Sequence, residues 1–488
     1  MDRQIRRLGI ALIVLFVMLF AQINYIQVFA AEDLINNPAN ARRLIIQQFE
    51  VDRGDILARD GTVLATSVPT GGELKFLRRY PERDLTATAT GYSSLIYGNA
   101  DLEKSYDPYL SARDESLIPV TLIDQILGRP KRGATVVTTI DPKLQEVATR
   151  ALGGAAGAVA AIDPRSGDVL ALVSVPSYDP SDLSSHNPKE IRRTWDQLNK
   201  DKDKPLLSKA NEELYPPGST FKLITATAAL ENGYSRSSRW PNPPEIDLPL
   251  TTNTLQNFGG THCAGGASSI SLEQAFTESC NVTFAEIGLK LGAKRLLEQA
   301  RAYGFDQDVP FDVPFEEGHF PEVAHFEEAD PLLAFAAVGQ DDVSSNPLQM
   351  ALVASAIANG GVMPRPRLVT EVRAPEGGVL KSFGPAAHST AMSPKTAADM
   401  TRMMISVVNG GTGTSAQIPG IQVAGKTGTA QHGDGENPHA WFVSFAPAEK
   451  PEIAVAVVVF DGGDLGSEAT GGAVAAPIAR DVIEAALR

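Results

Sequence analysis

Positive charge is the first thing this sequence is short of. Its 488 residues hold 43 Lys and Arg against 58 Asp and Glu, a formal net charge of −15. That balance argues against a nucleic acid or another polyanion as the main partner. Metal-ligand spacing is also missing among the acidic residues. Cysteine is nearly absent, with Cys263 and Cys280 the two present. No internal repeat is visible, which excludes a solenoid or array. What remains is an ordinary globular composition, long enough for two or three domains.

One long apolar run stands at the N-terminus. Arg3, Arg6 and Arg7 precede Leu8–Ala21, and the run continues past Gln22, Asn24 and Gln27 to Ala31, roughly 24 residues in all. That length spans a hydrocarbon core, and the basic flank is expected to stay cytoplasmic. The reading is a cytoplasmic tail at 1–7, a single-pass membrane anchor at 8–31 and an extracytoplasmic remainder. "VFAAED" also offers a signal-peptide cleavage site, but secretory apolar regions are shorter, about 7 to 15 residues.

Beyond the anchor, "FEVDRGDILARDGTVLATS" reads as two extended segments around an Asp60-Gly61 turn. Residues from about Arg79 to Leu127 are polar and mixed. At Gly133 the character changes to a strand running into a helix, with Pro142 in its first turn. Two apolar strands, Ala158–Ile162 and Val169–Val175, flank a tight turn at Pro164–Gly167. A second pair, "AWFVSFAP" and "EIAVAVVVF", comes late and is followed by an amphipathic helix. Strands at both ends of a largely helical stretch imply one antiparallel sheet with a helical lobe inserted.

"GIQVAGKTGTAQ" poses a choice of chemistry. Gly420-x4-Gly425-Lys426-Thr427 satisfies the P-loop pattern. Yet Ile421 and Val423 alternate with polar residues as in a half-buried strand, and the Gly-rich stretch with Pro438 that follows opens no helix. An extracytoplasmic site also lacks a steady nucleotide supply. On a strand, Lys426 offers a cation, Thr427 and Thr429 offer hydroxyls, and Gly428 removes a Cβ that would hold a substrate backbone away. Together these suit a peptide carboxylate.

Two further segments carry reactive groups. In "YPPGSTFKLITATAALENG", Ser219 sits at a helix N-terminus with Lys222 one turn on, on the same face. A desolvated lysine can take a serine hydroxyl's proton, and the helix N-terminus favours the oxyanion that forms. The bland alternative is an N-cap and a solvated lysine. In "SLEQAFTESCNVTFAEIGLKLG", Ser271 and Gln274 read as a capping box. That helix breaks near Ser279, and a second runs from about Val282 to Leu291. Ser279 and Asn281 either project from the connection or simply cap the second helix.

Ser219-x-x-Lys222, Ser279-x-Asn281 and Lys426-Thr427-Gly428, in that order, form the motif set of penicillin-binding proteins and class A β-lactamases. The sequence resembles a class B penicillin-binding protein over nearly its whole length. "RGDI" at Arg53–Ile56, "SLIYGNADLEKSYDPYL" and "GQDDVSSNPLQMALVASAIANGG" add to the resemblance, and the short N-terminal domain and "INYIQV" are most similar to its actinobacterial penicillin-binding protein A branch. The implied fold is α+β: an anchor, a small mainly β N-terminal domain at 32–132 of dimerisation or pedestal type, and a serine β-lactamase-like transpeptidase domain at 133–488. In the latter, an antiparallel sheet is flanked by helices with a helical lobe.

The resemblance implies that Ser219 attacks the D-Ala-D-Ala carbonyl of a peptidoglycan stem peptide, with Lys222 as base. Ser279 relays the proton, Asn281 holds the peptide amide and Lys426 supplies field. Thr427 and Thr429 bind the terminal carboxylate across Gly428, and the backbone N–H groups of Ser219 and Thr429 form the oxyanion hole. An amine from a neighbouring stem then completes a crosslink with no metal or cofactor needed, and β-lactams inhibit. Class B proteins lack a glycosyltransferase domain, so a SEDS-family polymerase or other division or elongation partner in the membrane is implied.

Cys280 stands inside Ser-x-Asn. Cys263 is its one intrachain partner, closing a loop of about 17 residues in a compartment where disulfides persist; two free thiols are the alternative. His432 and His439 invite a triad with Ser219, but Lys222 already fills the base role and "HAWFVSF" reads as a core strand. Two other functions compete with crosslinking: a carboxypeptidase or β-lactamase that passes the acyl group to water, and a non-catalytic scaffold.

Overall fold

The computed structural model describes residues 2–28, 49–248, 254–327, 330–431 and 435–488. Asp2–Val28 is one helix, and among the described residues nothing packs on its apolar length. The helix takes in Arg3, Arg6 and Arg7, since nothing in "DRQIRR" breaks it. The amide of Asn24 donates back to the Phe20 carbonyl at 2.8 Å, which satisfies a polar group in an apolar setting. Most of the considered cleavage site lies outside the described residues.

The first sheet has six strands, in the order Val379–Ser382, Val369–Arg373, Thr135–Thr138, Ile56–Leu57, Val63–Pro69, Phe76–Arg79. The hairpin turns at Asp60-Gly61, where Gly61 takes φ +89°, a conformation that costs glycine little. Thr135–Thr138 pairs parallel with Ile56–Leu57 and antiparallel with Val369–Arg373, so the sheet draws strands from both sides of residue 133. Under it lies a buried ionic knot. Arg53 and Arg78 each donate to the fully buried Glu103 carboxylate at 2.6 Å, and Arg53 also reaches Asp107 at 2.6 Å. Burial alone would push the Glu103 carboxyl up, but the two guanidiniums hold it below its ordinary value.

The second sheet is wholly antiparallel, in the order Ala424–Ala430, His439–Ala446, Ile453–Val459, Gly157–Ile162, Val169–Val175. It unites early and late segments, as the strand pattern predicted. Side chains of Ile453–Val459 alternate between two cores. Val455 and Val457 meet the helices Pro142–Ala151 and Ala475–Ala486 on one face, while Ala456 and Val458 face the larger core that contains Leu352 of the Pro347–Ala358 helix. Burial on both faces explains the near-continuous apolar runs. The helical lobe comprises Lys222–Glu231, Leu272–Thr277, Asn281–Leu291, Ala293–Ala302 and Pro394–Gly410 among its longer elements.

The Lys-Thr-Gly strand is the edge of this sheet. It begins at Ala424 rather than at Ile421, because Pro419 and Gly420 turn the chain and Ile421 makes only an isolated bridge back to Ile418. It is buried on both faces except at Thr429, and among the described residues the next element is the strand His439–Ala446, so the geometry departs from a P-loop.

Candidate active site

Three segments converge at the free edge of the Lys-Thr-Gly strand. Pro217 stops regular structure, and Gly218–Phe221 forms one 3₁₀ turn that runs directly into the Lys222–Glu231 helix. The Gly218 N–H donates to the Gly339 carbonyl at 2.9 Å, and Tyr215 and Ser345 exchange two backbone hydrogen bonds of 2.8 Å. Thr225 Oγ1 donates to the Ala337 carbonyl at 2.8 Å. The "GQDDVSSNPLQ" segment therefore clamps the nucleophile turn in place.

Two glycines let the turn and the strand approach. A Cβ on Gly218 would stand 2.7 Å from the Thr429 carbonyl oxygen. One on Gly428 would stand 2.8 Å from Thr220 Cγ2 and 3.0 Å from the Pro217 oxygen. The clearance that Gly428 provides is thus toward the nucleophile turn, where the sequence suggested clearance for a substrate.

The second segment opens as the capping box predicts: Ser271 accepts from the Gln274 N–H while its own N–H donates to the Gln274 side chain. Leu272–Thr277 then ends, and Ser279 takes φ +62°. A serine in the left-handed region costs on the order of 1 kcal/mol or more, a strain that clusters at functional sites. Cys280 is the N-cap of Asn281–Leu291 and makes no side-chain cap bond of its own; Asn257 Oδ1 instead accepts from the Val282 N–H at 3.1 Å. Neither Ser279 nor Asn281 serves as a cap; both face the lysines.

Lys222 Nζ donates to the Ser279 carbonyl at 2.7 Å and to Asn281 Oδ1 at 2.7 Å, with Ser279 Oγ at 3.4 Å. Lys426 Nζ reaches the same Ser279 Oγ at 2.8 Å and the Thr427 carbonyl at 2.9 Å. Both lysines are fully buried. The Phe284 ring lies 5.5 Å from Lys222 Nζ and the Phe276 ring 5.6 Å from Lys426 Nζ. Burial pushes Lys222 well below its ordinary value, and the Lys426 charge pushes it further. Burial brings Lys426 down to about 7. Both shifts favour the neutral amine.

A neutral amine has two N–H groups and one lone pair. The two 2.7 Å acceptors of Lys222 use both N–H groups, leaving the lone pair for a hydroxyl proton. Asn281 is committed at both ends, since its Nδ2 donates to the Gln256 carbonyl at 3.1 Å. Thr427 Oγ1 pairs with Thr412 Oγ1 at 2.5 Å. Cys263 and Cys280 are joined in a disulfide with Cα atoms 6.2 Å apart, which ties the 254–266 segment to the Ser279 turn.

Sequence reasoning missed Gln256, Thr412 and Gly339, whose contacts join segments that no local pattern links. It also missed that His325 pairs with the aspartates of "GQDD": His325 Nε2 lies 2.9 Å from Asp341 and 3.9 Å from Asp342. His439 lies in its strand against Tyr215 and Phe460, and His432 falls outside the described residues.

Residues 157–484 match the penicillin binding protein transpeptidase domain, and residues 53–136 match the penicillin binding protein A dimerisation domain. The peptidoglycan D,D-transpeptidase PbpA of Mycolicibacterium smegmatis is 42% identical over all of this chain and 99% of its own. The ceftriaxone acyl-enzyme complex of penicillin-binding protein A from Mycobacterium tuberculosis superposes with a TM-score of 0.87 at 40% identity, covering 91% of this chain and 100% of that one. A D,D-transpeptidase domain from Eggerthella lenta gives 0.78 at 32% identity, covering 90% and 98%. The chain belongs to the penicillin-binding protein transpeptidase family.

Proposed function

We propose that this chain is a peptidoglycan D,D-transpeptidase in which Ser219 is the nucleophile and neutral Lys222 the base. The observation that supports this reading is the hydrogen bonding of Lys222, three residues after Ser219 in sequence, whose two short donations leave the neutral amine a lone pair. As Ser219 Oγ attacks the carbonyl carbon of the penultimate D-alanine, its proton passes to Lys222 Nζ. The N–H groups of Ser219 and Thr429 receive the oxyanion. Collapse breaks the peptide bond; Ser279 gives its hydroxyl proton to the departing D-alanine amine and takes in its place the proton that Lys222 Nζ received from Ser219, so Lys222 returns to the neutral amine. An acceptor amine then attacks the ester in the reverse sense and regenerates Ser219.

Thr427 and Thr429 receive the terminal carboxylate, while Lys426 supplies field beside Ser279. In this reading Asn281 first fixes Lys222 and contributes to substrate amide binding only as a secondary role. Residues 32–132 act as a pedestal, and the Asp2–Val28 helix holds the enzyme by a single pass with its catalytic domain outside. A SEDS-family polymerase in the same membrane supplies glycan strands during growth or division. The test is a donor stem peptide ending in D-Ala-D-Ala with and without an acceptor amine. Crosslinked product and D-alanine in equal amounts support the proposal; D-alanine release that ignores the acceptor supports a hydrolase instead. Ser219→Ala is expected to abolish both while leaving the thermal unfolding profile unchanged.

A further inference from the structure

Ile118–Ile126 is a helix turned inside out. Ile118, Leu122, Ile123 and Ile126 on it, and Leu127 just after it, are each more than half exposed, with Ile126 at 84%. Its single fully buried residue is Asp124, which accepts two hydrogen bonds of 2.9 Å from Arg132. Outside the N-terminal helix, the other exposed large apolar side chains among the described residues are Val68, Phe258, Val379 and Leu465, scattered one per segment, and of these only Phe258 and Val379 are more than half exposed. Five of those nine residues thus fall within ten positions. A contiguous exposed apolar face of this kind marks an interaction surface.

Its position and charge point to one partner. The chain leaves the helix through Arg129 and Lys131, both exposed in a molecule whose net charge is −15. The Asp52 N–H donates to the Lys131 carbonyl at 2.9 Å, and the Gly133 N–H donates to the Asp52 carbonyl at 2.8 Å. Asp52 is three residues past Phe49, where the described chain resumes after the N-terminal helix. The Asp124–Arg132 pair fastens the helix to this same junction. The apolar face and its basic exit therefore sit where the folded part of the chain joins its anchor. Asp114 and Glu115 lie at the opposite, N-terminal end, so the charge runs from acidic to basic along the helix.

We propose that Ile118–Leu127, with Arg129 and Lys131, is an interfacial helix that lies in the headgroup region of an anionic lipid bilayer. The apolar face enters the acyl boundary and the two cations meet lipid phosphates. The inference rests on the reading of Asp2–Val28 as a membrane anchor. It gives the folded region a second, peripheral attachment that limits its tilt over the membrane.

The test uses the full chain reconstituted in phosphatidylethanolamine–phosphatidylglycerol vesicles, with an environment-sensitive fluorophore on Ile126→Cys or, as control, on Lys450→Cys. Doxyl-labelled lipid is expected to quench the label at 126 at least about twofold more than the label at 450. Leu122→Asp with Ile123→Asp should remove that difference, and Arg129→Glu with Lys131→Glu should reduce it, while every variant still floats with the vesicles. A chain that does not float overturns the anchor reading. A chain that floats with no lipid quenching at 126 overturns the interfacial helix. In that second case, label-to-label crosslinking between copies assigns the face to a second copy of the chain, and equal iodide quenching at both positions shows it bare.

Discussion

Lys222 and Lys426 converge on one hydroxyl: their Nζ atoms stand 3.4 and 2.8 Å from Ser279 Oγ. Two ammonium groups buried this close cannot both keep their protons cheaply. Burial lowers both, and the proximity lowers Lys222 further. The site is thereby poised to hold a neutral base at ordinary pH, which a free lysine, with a pKa near 10.4, does not supply.

Acylation by a penicillin should therefore rise with pH through a midpoint well below that of free lysine. In stopped-flow or mass-resolved kinetics, a rate that climbs only near pH 10 would contradict this. Stability should follow the same sign. Between about pH 7, where folded Lys426 titrates, and the unfolded value near 10.4, the unfolded chain binds more protons, so stability increases with pH. Lys426→Met should flatten that increase in thermal melts from pH 7 to 9.5.

Gly428→Ala tests the approach of strand and nucleophile turn. Its Cβ would press on Thr220 and Pro217 at 2.8 and 3.0 Å, costing about 1–3 kcal/mol if the backbone shifts. A displacement approaching 1 Å lowers acylation by about 10²-fold. The expected variant is folded, binds penicillin slowly and shows a Tm a few degrees lower; wild-type acylation kinetics would mean that the turn and strand are not held in contact.

Reducing the Cys263–Cys280 disulfide, or replacing both cysteines by serine, should lower stability by about 3 kcal/mol, the chain-entropy expectation for a loop of this length. Because the bond borders Ser279 and Asn281, acylation should slow as well. Denaturant unfolding with and without reductant, paired with acylation rates, checks both effects.

The "RGDI" arginine predicts a stability effect remote from catalysis. Glu103→Gln leaves Arg53 and Arg78 facing a neutral amide in a buried site, and breaking such a network costs about 3–5 kcal/mol. Urea denaturation should show this loss, while the acylation rate of the remaining folded protein stays unchanged.

Much of this organisation was legible in the sequence for a local reason. Ser219 and Lys222 share a helix face, Ser271 and Gln274 form a reciprocal cap, and the central strands are apolar throughout because both their faces are covered. The roles of Gly339, Gln256 and Thr412 were not legible, since each depends on which distant segment packs beside it. Gly428 was recognised as a position of close approach, but which neighbour it admits is a tertiary fact. The Ile118–Ile126 helix escaped because its apolar face points outward, against the rule by which periodicity is read.

The central claim is that Ser219 forms the acyl-enzyme. Its most direct test is intact-protein mass spectrometry of the full chain incubated with a penicillin, followed over time and mapped by peptide. The account predicts a single adduct on the peptide containing Ser219, persisting over many minutes and absent from Ser219→Ala. An adduct on another residue, or none in a folded sample, would contradict it.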